Sequence, residues 1–227
     1  MKRKLRTRVS NSERRELILK AARELFARDG LDGARTAQLA RAAGISERLL
    51  YKHFPSKAAL HEAALRSMTG EFLAEGKNIL SLEPSTATLV ALTRYLVHVL
   101  LSRSPERDAH VRAILRSMAG DTRFVRYARK QGLDIVQAKL QKCVAAAVAA
   151  GDIPQNGAHP RIASYLTEAL VEGVGPWLLP EPPIVDFGVD RERLIDEVTR
   201  FALKGLGLSD EMIRLHDAPQ RFAPEAG

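Results

Sequence analysis

Cysteine is all but missing from this chain. Cys143 stands alone among 227 residues, so no internal disulfide can form, and the expected home is the reducing cytoplasm. Long apolar runs are missing too. The longest lies within 143–150 and falls far short of the ~20 residues that span a bilayer. The N-terminus carries Lys2, Arg3, Lys4, Arg6 and Arg8, but no apolar stretch follows them, which argues against a signal peptide. No segment alternates as a strand would, and no internal repeat appears. Catalytic motifs are absent in the same way. His61-Glu62-Ala63-Ala64-Leu65 opens like a zinc-protease helix, yet Leu65 stands where the second histidine is required. There is no phosphate loop and no Gly-x-Ser-x-Gly. Gly205 and Gly207 lack a third glycine and a preceding strand, and one cysteine cannot build a thiolate zinc site. No enzymatic activity, catalytic residue, metal site or cofactor is expected.

What the chain does have is positive charge, all of it at one end. Residues 1–60 hold fifteen Lys/Arg against six Asp/Glu, a net of +9, whereas the remainder nets −1. A one-sided basic excess is the electrostatic footprint of a phosphate-binding domain. Within it, residues 36–54 read as two short helices joined by a tight turn. Leu39, Ala40 and Ala43 give the first an apolar face. Gly44 sits where the chain turns sharply, a place suited to a residue without Cβ. Ser46 is placed to cap the second helix. Leu49, Leu50 and Phe54 form that helix's inner side, leaving Glu47, Arg48, Tyr51, Lys52 and His53 outside. Helix, glycine-containing turn, helix is the arrangement that puts a second helix into the major groove of DNA.

The flanking sequence resembles a known family over about fifty residues. The run Arg15-Glu16-Leu17-Ile18-Leu19-Lys20-Ala21-Ala22, then Leu25-Phe26-Ala27, Gly30, Thr36, Leu39-Ala40, Ala43-Gly44-Ile45-Ser46, Leu50-Tyr51, His53-Phe54, Ser56-Lys57 and Leu60, is similar to the N-terminal domain of TetR-type transcriptional repressors. The resemblance covers residues 13–65; beyond it only the helical layout matches.

Taken in order, residues 1–9 are expected to be a basic flexible arm that contacts phosphate or the minor groove, or a plain tail. Ser10 and Glu13 form a capping box that opens a helix closing at Gly30. The connector helix spans 57–76, with Leu60, Ala64, Met68 and Phe72 in one stripe. Further helices are expected over 85–104, 105–120, 122–150, 159–179 and 191–205, with a frayed tail over 216–227. The expected fold is all-α with about nine helices. A helix-turn-helix head (10–56) and connector (57–76) lead into a ligand-binding and dimerisation domain (77–215).

The resemblance implies roles for single residues. Tyr51 and Lys57 would meet phosphates, with Thr36 and Ser46 making further backbone contacts. Arg48 and His53 would reach base edges, with Lys52 and Glu47 as weaker candidates; an arginine can fork onto guanine O6 and N7. Arg48-Leu49 departs from the small residues usual at these positions. Glu47 is odd beside phosphates, and acceptance from cytosine N4 or pairing with Arg48 or Arg41 would account for it. The family keeps an effector site in the C-terminal domain. Polar groups set into apolar helices there are Arg94, Tyr95, His98, Arg112, Arg116, Tyr127, Tyr165, Glu168 and Glu172. The expected ligand residues are Tyr95, His98, Met118, Phe124, Tyr165 and Trp177. The last two long helices would pair with their twins in a homodimer. The function implied is a ligand-responsive, sequence-specific regulator, by family base rate a repressor, whose partners are an operator in double-stranded DNA and a small effector. Two other readings remain open: an effector-independent, nucleoid-like DNA binder, and a small all-α carrier with a relic head.

Overall fold

The computed structural model describes residues 10–216 apart from Asp121 and Ala158. The expected basic arm (1–9) and residues 217–227 of the expected tail lie outside the described residues. Every regular element among those described is helical. The head comprises α1 (Asn11–Gly33), α2 (Thr36–Ala42) and α3 (Glu47–His53). The connector α4 (Lys57–Glu75) leads to a short α5 (Lys77–Ser81), then α6 (Thr86–Leu101) and α7 (Pro105–Ala119). After α8 (Arg123–Ala128) a π-helical turn (Arg129–Leu133) runs straight into α9 (Asp134–Ala150). Next come α10 (Pro160–Val174), a 3₁₀ turn (Gly175–Leu178), α11 (Arg191–Gly205) and α12 (Asp210–His216).

Serines start α1, α3, α4, α6 and α7. The Ser10 amide donates to the Glu13 carboxylate at 2.7 Å while the Ser10 hydroxyl accepts from the Glu13 amide at 3.1 Å, which completes the capping box. Ser46, Ser56, Ser85 and Ser104 cap α3, α4, α6 and α7 in the same way, each accepting from the amide three residues on. α1 breaks where expected, at Gly30, whose φ of 71° is left-handed. The break is braced from the body: Arg116 of α7 lies across Gly30 and donates to the Arg28 carbonyl.

Two cores form. One belongs to the head, where Ile18, Ala22 and Phe26 of α1 meet Leu39 of α2, Leu50 of α3, Phe54 and Leu60 of α4. The other fills the body, where Leu89 and Leu92 of α6 meet Leu140 and Val144 of α9 and Leu203 and Leu206 of the α11 end. The connector ends before Gly76, and the Tyr95 ring packs on that glycine. A Cβ there would stand 2.9 Å from Tyr95 Cε1, and the Tyr95 hydroxyl donates to the Phe72 carbonyl at 3.1 Å.

Three features depart from expectation. The helix expected over 122–150 is interrupted by the π turn. There Gly132 lets α4 approach; a Cβ on it would sit 3.1 Å from Leu73 and Thr69 atoms. The segments 77–81 and 210–216 are short helices that no long apolar stripe announces.

Candidate functional site

The tight turn between α2 and α3 is built as the sequence implies. Gly44 takes φ 67°, its amide donates to the Arg41 carbonyl at 3.0 Å, and the Ile45 amide donates to the Ala40 carbonyl at 2.9 Å. Leu50 and Phe54 are buried in the head core, which fixes the rotation of α3. That rotation leaves Glu47, Arg48, Tyr51 and Lys52 exposed on one face, with His53 half-buried at its end. The structure therefore brings seven of the eight expected DNA-facing residues (Thr36, Ser46, Glu47, Arg48, Tyr51, Lys52, His53) onto α3 and the adjoining start of α2.

Three of the eight have internal partners that sequence reasoning missed. The Thr36 hydroxyl donates to the Glu47 carboxylate at 2.8 Å. Glu47 thus clamps the start of α2 to the start of α3, instead of pairing with Arg48 or Arg41. Lys57, the eighth residue, sits half-buried at the start of α4, and its ammonium donates to the Ala34 carbonyl at 3.2 Å. That contact ties the end of α1 to the connector.

The field around α3 is positive. Arg15 stacks its guanidinium 4.3 Å from the Phe54 ring centre and donates to the His53 carbonyl at 3.3 Å. The His53 ring is held below its usual pKa by burial first, then by Arg14, Arg15 and Lys52, so at neutral pH it is an uncharged donor and acceptor.

The body holds a cavity of about 380 Å³, within the ordinary range for small-molecule sites. Leu96, Val99, Ile114, Val136 and Leu140 supply apolar walls, and Thr93, Gln137, Thr167, Glu168 and Glu172 add polar groups. Two ion pairs belong to its wall. Arg23 of α1 bonds Glu71 of α4 at 2.5 and 2.6 Å, and Arg107 of α7 bonds Glu75 of α4 at 3.0 Å. His110 of α7 also lines it, edge-on to Phe124; burial pushes its pKa down to about 4, so the ring is neutral.

None of the six expected ligand residues lines this cavity. Tyr95 is buried against Gly76 with its hydroxyl occupied, and burial pushes its pKa up to about 12. His98 shares a 3.3 Å contact with Ser102 on its own helix. Met118 is 59% exposed, and Trp177, 44% exposed, stacks on Phe187. Phe124 packs behind His110 rather than in front of it. Tyr165 lies under Arg129 and Arg161. Aromatic rings in apolar helices were spent on core and surface packing. Glu168 and Glu172, two carboxylates spaced one turn apart inside an apolar helix, do line the cavity; they stand among the polar groups set into apolar helices, but not among the expected ligand residues.

Comparison with known proteins bears on the head first. Residues 18–64 match the family described as bacterial regulatory proteins, tetR family. These residues are a TetR-family head. The nucleoid occlusion factor SlmA of Vibrio atlanticus is 37% identical over 100 residues, which is 44% of this chain and 50% of that protein. The chain spans about half the length of the curated relatives it matches first. The TetR-type fold extends further. A TetR-family member from Streptomyces coelicolor superposes with a TM-score of 0.61 at 27% identity, covering 83% of this chain and 90% of that one. FadR of Bacillus subtilis, solved with stearoyl-CoA, gives 0.61 at 16% identity over 84% of this chain and 98% of its own. The body is thus TetR-like in fold. Among the described residues no helix is long and apolar enough to cross a membrane.

Proposed function

We propose that this chain is a homodimeric, effector-responsive DNA-binding regulator, in the repressor sense, released from a palindromic operator when a small molecule enters the body cavity. The observation that carries the reading is the makeup of the cavity wall. Arg23 belongs to the head, Glu71 and Glu75 belong to the connector, and Arg107 belongs to the body. An occupant touches all three parts at once. Its differential affinity for two arrangements of α4 then sets the separation of the two recognition helices. Half-sites one turn apart, ~34–36 Å, fit both heads in only one arrangement.

The dimer face is argued from exposed apolar surface. Ile162 and Leu166 on α10 are 58% and 62% exposed, and Phe201 on α11 is 67% exposed. Such residues on two adjacent long helices fit a two-fold, self-complementary contact. Leu166→Glu with Phe201→Glu is expected to give monomers in sedimentation velocity and to abolish tight operator binding while each head stays folded. A dimer that persists in the double variant would remove α10 and α11 from the interface.

The test of the whole reading is operator binding at fixed salt, with random DNA as competitor, before and after a small-molecule screen. A specificity ratio well above one that falls on ligand addition supports it. Within that assay Arg48→Ala should relax one operator position by roughly 1–3 kcal/mol. Tyr51→Phe should instead weaken all sequences alike; a change of base preference would remove Tyr51 from the phosphate role. A second reading, an effector-independent, nucleoid-like DNA binder, is favoured by the likeness of 44% of this chain to a nucleoid occlusion factor. It requires a DNA affinity that no cavity ligand changes.

A further inference from the structure

The polar groups of the body cavity are unevenly satisfied. On the α1, α4 and α7 walls the carboxylates have cations: Glu71 holds Arg23, and Glu75 holds Arg107. On the wall made by α9 and α10, Glu168 takes Arg129 at 3.0 Å and the Gln137 side-chain amide. Glu172, one turn beyond Glu168, has no hydrogen bond or ion pair among the described residues, although it lines the same space.

Gln137 sharpens the imbalance. Its Nε2 faces two acceptors, Glu168 and the Ser164 carbonyl, so the amide cannot be turned round. Its Oε1 is consequently directed elsewhere, and it is buried with no partner. Two groups on this wall therefore lack partners: the Gln137 oxygen, which can only accept, and the Glu172 carboxyl, which has no cation for its ionised form. A buried acceptor left unpaired is costly, so the occupant that belongs here brings donors and positive charge. Both wall arginines already hold carboxylates, and an anionic occupant would meet Glu168 and Glu172. Leu96, Val99, Val136 and Leu140 offer the rest of the ligand an apolar bed. Toward the head, Arg23 Nε is also buried without a partner and can donate to an oxygen at the ligand's far end.

We propose that the cavity binds an organic ammonium carried on an apolar body, with Glu172 as counter-ion and Gln137 Oε1 as a second acceptor. This rests on the reading of the cavity as the effector chamber, but it concerns only what the chamber holds.

Calorimetric titration of the full-length protein with octylamine, 1-octanol and octanoate separates charge from chain length. Octylamine should bind at least tenfold more tightly than either of the others. Glu172→Gln should cost at least tenfold in octylamine affinity and leave octanol unchanged. Octanoate binding more tightly than octylamine, an unchanged preference in the variant, or no binding of any of the three overturns the proposal. The comparison of three probes on the unmodified protein does not depend on the variant. Operator affinity is read separately: octylamine binding that leaves it unchanged confirms the ammonium site and counts against the regulator reading instead.

Discussion

Leu50→Ala costs the head about 3–5 kcal/mol, the upper part of the range for a fully buried leucine. Leu50 has no exposed surface and sits where α1, α2, α3 and α4 converge, among Ile18, Leu39, Phe54 and Leu60. Each of these is nearly or fully buried, and the recognition helix is only seven residues long, Glu47–His53. A helix that short has no stability of its own. It holds its place through Leu50, Phe54 and the Ser46 cap. The expected result is a head that melts ahead of the body, with loss of DNA binding at temperatures where the cavity still takes ligand. Hydrogen exchange resolves the two parts. Uniform loss of protection across head and body would show instead that they unfold as one unit.

Glu172→Gln should stabilise the protein in alkali and do nothing in acid. Burial, then the neighbouring Glu168, pushes the Glu172 pKa up to about 7, against 4.5 for the free side chain. The folded chain therefore holds its proton longer than the unfolded chain does. As pH rises from 4.5 to 7 the unfolded state ionises freely while the folded state resists, so stability falls with rising pH. At 1.36 kcal/mol per unit the full difference is roughly 3 kcal/mol, present above pH 7 and absent below 4.5. His110 works at the other end. Its pKa is lowered to about 4 by burial, so protons taken up by the unfolded state between pH 6.5 and 4 erode stability as pH falls. Denaturant titrations of the wild type, Glu172→Gln and His110→Phe at pH 5 and pH 8 check both limbs. A gain from Glu172→Gln of equal size at both pH values would mean that packing, not ionisation, explains it.

Much of the head was legible because its signals are local. The Ser10–Glu13 capping box, the Gly44 turn and the Ser46 cap each involve residues within a few positions, and each appears as read. The same holds for α11, whose stripe of Leu194, Ile195 and Ala202 is closed at Arg191 and Gly205. The Thr36–Glu47 contact was not legible, since it joins two helix starts across the turn; Glu47 stood out as odd beside phosphates, but nothing local names Thr36 as its partner. The cavity was less legible still. It gathers side chains from α1, α4, α6, α7, α9 and α10, and pattern within one helix cannot say which polar residue faces a void. The π turn misled in another way. An apolar stripe passes through it, and the stripe does not reveal that Gly132 yields to α4.

Arg23 gives the molecule a property that a two-module description hides. It is a residue of the first helix, yet it forms part of the chamber in the body and holds Glu71 there. Head and body are consequently not interchangeable parts. A chimera that grafts a foreign head onto this body at residue 56 inherits a chamber with one wall residue replaced and Glu71 left without its cation. Its change in operator preference would come with a change in what the chamber admits, so sensors assembled from this body need Arg23 carried along with it.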